Sequence, residues 1–116
     1  MQTSVTRAFT FEAAHQLPWH QGKCRRLHGH SYRLEVTVEG AVHPNGMVID
    51  FDELREIVDR DIVQRYDHQY LNDFLDNPTA ELLAQDIWKR LEAARLTITR
   101  VRLWETANSM VEVARS

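Results

Sequence analysis

The chain has 116 residues, 43% hydrophobic and 27% charged, the make-up of a single globular domain over residues 1–116 with no room for a second core. A formal net charge of −3 gives no basic footprint for nucleic acid. The lone Cys24 excludes an internal disulfide, no apolar run nears the ~20 residues that cross a bilayer, and residues 1–10 lack the apolar centre of a signal peptide. The simplest expectation is a cytoplasmic protein with a free thiol and no membrane partner.

Val5 to Ala13 reads as a strand with Val5, Phe9, Phe11 and Ala13 on one face, and His15 follows on that face if the strand continues. Pro18 and Gly22 make residues 17–23 a loop. A second strand runs from His28 to Gly40, where Tyr32, Leu34, Val36 and Val38 alternate with Arg33, Glu35, Thr37 and Glu39. His43-Pro44-Asn45-Gly46 is a turn, and Met47 to Ile49 a short apolar lead-in.

Asp50 caps a helix, with Glu53 completing a capping box; Phe51, Leu54, Val58 and Ile62 form its buried stripe, with its end near Tyr66. Residues 67–77 connect to a second helix capped by Thr79, with Ala80, Leu83, Ala84, Ile87, Trp88 and Leu91 at helical spacing. Two strands follow, Thr97 to Glu105 and Ser109 to Ala114. The order ββααββ predicts an α+β fold: a four-stranded antiparallel sheet with both helices on one face. Its exposed edges predict a homo-oligomer.

Chemistry concentrates in Cys24-Arg25-Arg26-Leu27-His28-Gly29-His30. Residues two apart in a strand face the same side, so His28 and His30 are half of a metal site. If the two strands pair as a hairpin, His15 faces the same patch and completes a three-imidazole set with an open fourth place. Imidazole suits zinc best, with iron, nickel and copper also admissible. Taken singly, each of the six His is a surface or hydrogen-bonded imidazole, and that reading stands for His20 and His43.

Cys24 alone would be a small buried hydrophobe. Flanked by Lys23, Arg25 and Arg26 and near a metal, it could be a thiolate that attacks carbon, ligates the metal or removes a proton. Those three cations are a solvated loop unless the substrate is a polyphosphate. Asp67 followed by His68 could fix an imidazole tautomer, and Glu105, if buried, could accept paired hydrogen bonds from an N–C–N edge such as that of guanine or pterin. Trp104 and the stretch around Met110 read as core.

The residues Phe11-Glu12-Ala13-Ala14-His15, Cys24-x3-His28-Gly29-His30, Val48-Ile49-Asp50-Phe51, Asp67-His68-Gln69-Tyr70-Leu71-Asn72, Asn77-Pro78-Thr79 with Glu81, and Glu105-Thr106 together resemble the 6-pyruvoyltetrahydropterin synthase superfamily of tunnel-fold enzymes. The three-residue gap between Cys24 and His28 is most similar to the bacterial queuosine-pathway branch, the 6-carboxy-5,6,7,8-tetrahydropterin synthases. The resemblance implies Zn2+ held by His15, His28 and His30, Cys24 as general base, an Asp67–His68 relay, and Glu105 as pterin anchor and relay member beside Thr106. It implies a lyase that turns 7,8-dihydroneopterin triphosphate into 6-carboxytetrahydropterin, acetaldehyde and triphosphate. It also implies trimers pairing into a homohexamer, with Asp67-His68 of one subunit completing a neighbour's site. Arg25 departs from the family pattern, where Gly is commoner, and adds charge and bulk to the loop. Three other readings are weighed against this one: the same scaffold stopping at 6-pyruvoyltetrahydropterin, a zinc enzyme acting on another purine or pterin, and a non-catalytic oligomeric module with a structural, four-ligand zinc.

Overall fold

The computed structural model describes residues 1–115. Strand β1, Thr3–His15, and strand β2, His28–Gly40, form a long antiparallel hairpin in unbroken register from Thr3↔Gly40 to His15↔His28. Helix α1, Phe51–Val58, runs through a π-helical stretch, Asp59–Val63, into Gln64–Tyr66. A two-residue strand β3, Gln69–Tyr70, precedes helix α2, Ala80–Ala93. Strands β4, Ile98–Thr106, and β5, Ser109–Ala114, close the chain.

The sheet order is β3-β1-β2-β4-β5. It is an α+β fold, as the alternation predicted, but the sheet has five strands and is mixed, because β3 pairs parallel to β1 through Ala13↔Gln69 and Ala14↔Tyr70. Strands of two residues leave no alternation to read; β3 exists because the chain leaving α1 passes the free edge of β1.

Both caps follow from side-chain chemistry. The Asp50 carboxylate accepts from the Asp52 amide at 2.7 Å, and the Thr79 hydroxyl from the Leu82 amide at 3.2 Å. The core joins Phe11, Tyr32, Leu34, Val36, Val101 and Leu103 of the sheet to Leu54, Val58, Ile62, Leu83, Ile87 and Leu91 of the helices. In α1 the buried residues Leu54, Val58, Ile62 and Tyr66 recur every fourth position. A four-residue step overshoots one α-helical turn by about 40°. The wider π turn absorbs that drift and keeps Ile62 and Tyr66 on the core.

Phe51, expected in this stripe, is instead 54% exposed. It stands in the first turn, where its carbonyl accepts from the Arg7 guanidinium at 3.0 Å while the ring faces out. Trp88 is only partly buried, packed against the core edge under the Arg115 guanidinium. No described helix is long and apolar enough to cross a membrane.

Candidate metal centre

The hairpin register alone assembles the centre. Pairing His15 with His28 and Ala13 with His30 puts three imidazoles on the helix-covered face at the open end of β1 and β2. Their ligand nitrogens all lie within 4.8 Å of one another. His15 is fully buried, and His28 and His30 are half-buried.

Two backbone carbonyls set the tautomers. His15 Nδ1–H donates to the Pro78 carbonyl at 2.8 Å, and His28 Nδ1–H to the Arg26 carbonyl at 2.8 Å. A carbonyl only accepts, so each Nδ1 carries the proton and each Nε2 is left with a lone pair. Those two Nε2 atoms face one another at 3.0 Å. The third, His30 Nε2, is buried without a hydrogen-bond partner among the described residues. Burial holds the His30 pKa below the ordinary imidazole value, with the other two imidazoles adding to that and the Glu105 carboxylate opposing it. Converging neutral lone pairs, one of them orphaned, are what a divalent cation with an affinity for imidazole requires. The residues therefore fit the metal that the sequence implied.

Glu105 stands closer to the triad than an anchor for a distant ring would. Its Oε1 lies 3.6 Å from His15 Nε2 and 3.7 Å from His30 Nε2. The β4–β5 ladder slips between Trp104 and Thr106, so Glu105 is the irregular residue of its strand, and a bulge of this kind re-aims a side chain. Tyr32, one pleat along β2 from His30, is fully buried with a hydroxyl that has no partner among the described residues.

Cys24 sits in a single 3-10 turn, Lys23–Arg25, half-buried, and is not part of the described ligand group formed by the three His. Its carbonyl accepts from the Leu17 amide at 2.8 Å, which folds the loop back beside the hairpin end. Asp67 is fixed by the Glu12 amide, which donates to its Oδ1 at 2.9 Å, while Oδ2 is 3.0 Å from His68 Nδ1. The amide contact first, then the imidazole, holds the Asp67 carboxyl below the usual carboxylate range. His68 is largely exposed and takes a left-handed φ of 60°. Thr106 ends β4 and is exposed.

A cleft of about 540 Å³ runs over the same strand ends, lined by Glu12, Leu27, Gly29, His30, Ser31 and His68 among others. That volume is within the range of small-molecule sites. A Cβ built on Gly29 would meet only the Ala13 carbonyl at 3.6 Å, an ordinary contact. Backbone crowding therefore does not demand glycine there, and the free space belongs to the cleft.

Sequence reasoning missed the residues that orient the ligands. Pro78 and Arg26 act through carbonyls, which leave no trace in residue type. The Asn72 side chain clamps both backbone groups of Gln16, accepting from its amide at 2.9 Å and donating to its carbonyl at 2.8 Å. Trp19 Nε1–H adds a bond to Asn77 Oδ1 at 2.8 Å. The segment 72–78 thus buttresses the end of β1.

Comparison with known proteins agrees with this geometry. A family model described as 6-pyruvoyl tetrahydropterin synthase matches residues 4–116. The chain is 43% identical to a 6-carboxy-5,6,7,8-tetrahydropterin synthase from Synechocystis, covering 90% of this chain and 88% of that protein. It is 35% identical to a dihydroneopterin monophosphate aldolase from Pyrococcus furiosus, covering 97% and 98%. In fold it is similar to the 6-pyruvoyl tetrahydropterin synthase of Caenorhabditis elegans, with a TM-score of 0.87, 24% identity, and 100% and 97% of the two chains covered.

Proposed function

The chain belongs to the 6-pyruvoyl tetrahydropterin synthase family, and on that footing we propose that it is a zinc-dependent 6-carboxy-5,6,7,8-tetrahydropterin synthase. The substrate is 7,8-dihydroneopterin triphosphate; with water it gives 6-carboxytetrahydropterin, acetaldehyde and triphosphate, a step toward queuosine in the cytoplasm. The observation that carries the proposal is the triad of inward-facing Nε2 atoms beside a small-molecule cleft. The Synechocystis relative supports the choice of reaction.

When bound at His15, His28 and His30, zinc would supply Lewis acidity to the hydroxyl oxygens of the substrate side chain and acidify the adjoining C–H. Cys24 is the base that removes that proton, from a loop carrying Lys23, Arg25 and Arg26 that also suits the triphosphate. His68, oriented at Nδ1 by Asp67, presents Nε2 for proton transfer on the other side of the side chain. Glu105 and Thr106 receive the pterin ring, the carboxylate accepting from its N–C–N edge. The assembly is a homohexamer built of trimers, with Asp67 and His68 serving a neighbouring subunit's site.

A structural zinc module would be closed by four permanent protein ligands, and Cys24 lies outside the ligand group. The Pyrococcus furiosus relative favours one second reading, an aldolase on dihydroneopterin monophosphate. Anaerobic incubation with the triphosphate, with and without a chelator, tests the proposal. Acetaldehyde with a 6-carboxylated tetrahydropterin is the expected product pair. A pyruvoyl pterin would place the chain with the family's other synthases, and a one-carbon alcohol side chain would make it an aldolase.

A further inference from the structure

Glu105 is the one acidic side chain that reaches two of the three triad nitrogens, and its distances decide what that contact is. At 3.6 Å from His15 Nε2 and 3.7 Å from His30 Nε2, Oε1 is too far for a hydrogen bond to either. Nor does the tautomer of His15 leave a proton on Nε2 to donate, since its Nδ1–H is given to Pro78. Donor atoms around one tetrahedral zinc, each about 2.0–2.2 Å from it, stand roughly 3.3–3.5 Å apart. The Glu105 contacts fall just outside that spacing, and the His15–His28 contact at 3.0 Å just inside it. The carboxylate oxygen therefore occupies the place of a fourth donor.

Nothing fixes Glu105 there by itself. Its side chain is 27% exposed, and it springs from the irregular point of the β4–β5 ladder, where the backbone is not held by regular pairing. Three neutral imidazoles would leave a divalent cation with its full charge beside an open cleft. One carboxylate halves that charge and occupies the remaining place, which would otherwise draw water or a stray anion.

We propose that Glu105 is a displaceable fourth ligand: it closes the His15–His28–His30 metal in the substrate-free protein and leaves it to receive the N–C–N edge of an incoming pterin ring. Ring binding then opens the coordination place for the side chain, so the metal is exposed only when a ring is seated. The inference rests on the metal reading proposed above and deepens it.

Cobalt(II) loaded into the metal-free protein is the probe, because its visible absorption reports the number and kind of ligands. Glu105→Gln keeps the size of the side chain and removes the anionic donor. Loss of that donor is expected to weaken cobalt binding about 10–100-fold, the range known for perturbing the groups around a metal, and to shift the absorption bands. A pterin with no substituent at C6, which has the ring edge but no side chain to ligate, should move the wild-type spectrum toward that of Glu105→Gln and leave the variant's own spectrum unchanged. Equal cobalt affinity and identical spectra in both proteins would overturn the proposal while leaving the triad intact. A variant shift without any response of the wild type to the pterin would make Glu105 a permanent ligand and overturn the exchange. Failure of wild-type protein to bind cobalt at all would instead overturn the metal reading on which the proposal stands.

Discussion

Removing the metal should cost the fold a calculable amount. The lone pairs of His15 Nε2 and His28 Nε2 confront each other at 3.0 Å, and His30 Nε2 adds a third without a partner. Only the folded hairpin register brings them together, so a metal that uses them binds the native state and not the unfolded chain. With free zinc at about 1,000 times its dissociation constant, the linkage is worth about 4.1 kcal/mol. The unfolding entropy of a chain of 116 residues is about 0.24 kcal/mol per kelvin. Zinc should therefore raise the midpoint by about 17 °C.

His28→Ala is the control, because His28 is only half-buried and its loss leaves no sealed cavity. If losing one of three ligands weakens zinc about 100-fold, the same free zinc gives about 1.4 kcal/mol and a shift of about 6 °C. Differential scanning calorimetry at buffered zinc, with and without chelator, reads both. An identical zinc shift in wild type and His28→Ala, or none in wild type, would refute the assignment of these imidazoles as ligands.

Cys24→Ala should keep its zinc content, since Cys24 lies outside the ligand group, and lose turnover by about 10²–10⁴-fold if it is the base; metal analysis beside the product assay separates the two. Asp67 has a depressed folded pKa, so the stability it contributes is complete above its unfolded value near pH 4 and is lost as pH falls through the lower folded value. Urea midpoints of wild type and Asp67→Asn should accordingly differ at neutral pH and converge in acid. Tyr32→Phe removes a buried hydroxyl with no described partner while keeping the ring stacked on Phe11 at 5.1 Å. It should be neutral or stabilising by up to about 1 kcal/mol in chemical denaturation, and a clear loss would reveal a partner for that hydroxyl. Gly29→Ala meets only an ordinary contact at 3.6 Å and should leave the melting point within a few degrees, yet raise KM by narrowing the cleft; an unchanged KM would remove Gly29 from the binding surface.

The sequence announced the triad because strand geometry is a rule about spacing. Period two puts His28 and His30 together, and hairpin pairing brings His15 opposite. Asp50 and Thr79 were legible as caps for a similar reason: their side chains do the bonding. What stayed hidden was carried by backbone or by tertiary context. The Pro78 and Arg26 carbonyls are chemically the same as any other carbonyl. Strand β3 is defined by its neighbour, not by its two residues. Phe51 shares the apolar character of Leu54, and only the angle at which α1 meets the sheet leaves its ring outside. Glu105 was legible as a candidate, but its approach to the triad depends on a one-residue slip that no alternation pattern records.

The groups around the centre divide by how firmly they are held, and the division follows their proposed tasks. His15 and His28 are fixed twice over, at the Cα by hairpin pairing and at Nδ1 by a carbonyl, which is the rigidity a metal site needs from its ligands. Cys24, His68 and Glu105 stand respectively on a single 3-10 turn, at a left-handed residue and at a ladder irregularity. A left-handed φ at a non-glycine residue costs energy, which at His68 is offset by its Asp67 contact and by the pairing of β3 that follows at once. That local strain turns the imidazole out of the sheet edge toward the cleft instead of letting it continue along the strand. Groups that hold a cation are over-determined here, and groups that would carry protons or exchange partners sit where the backbone departs from regular structure. A base or relay built into the middle of β1 or β2 would share the rigidity of the ligands, and could not follow a substrate whose side chain shortens as it reacts.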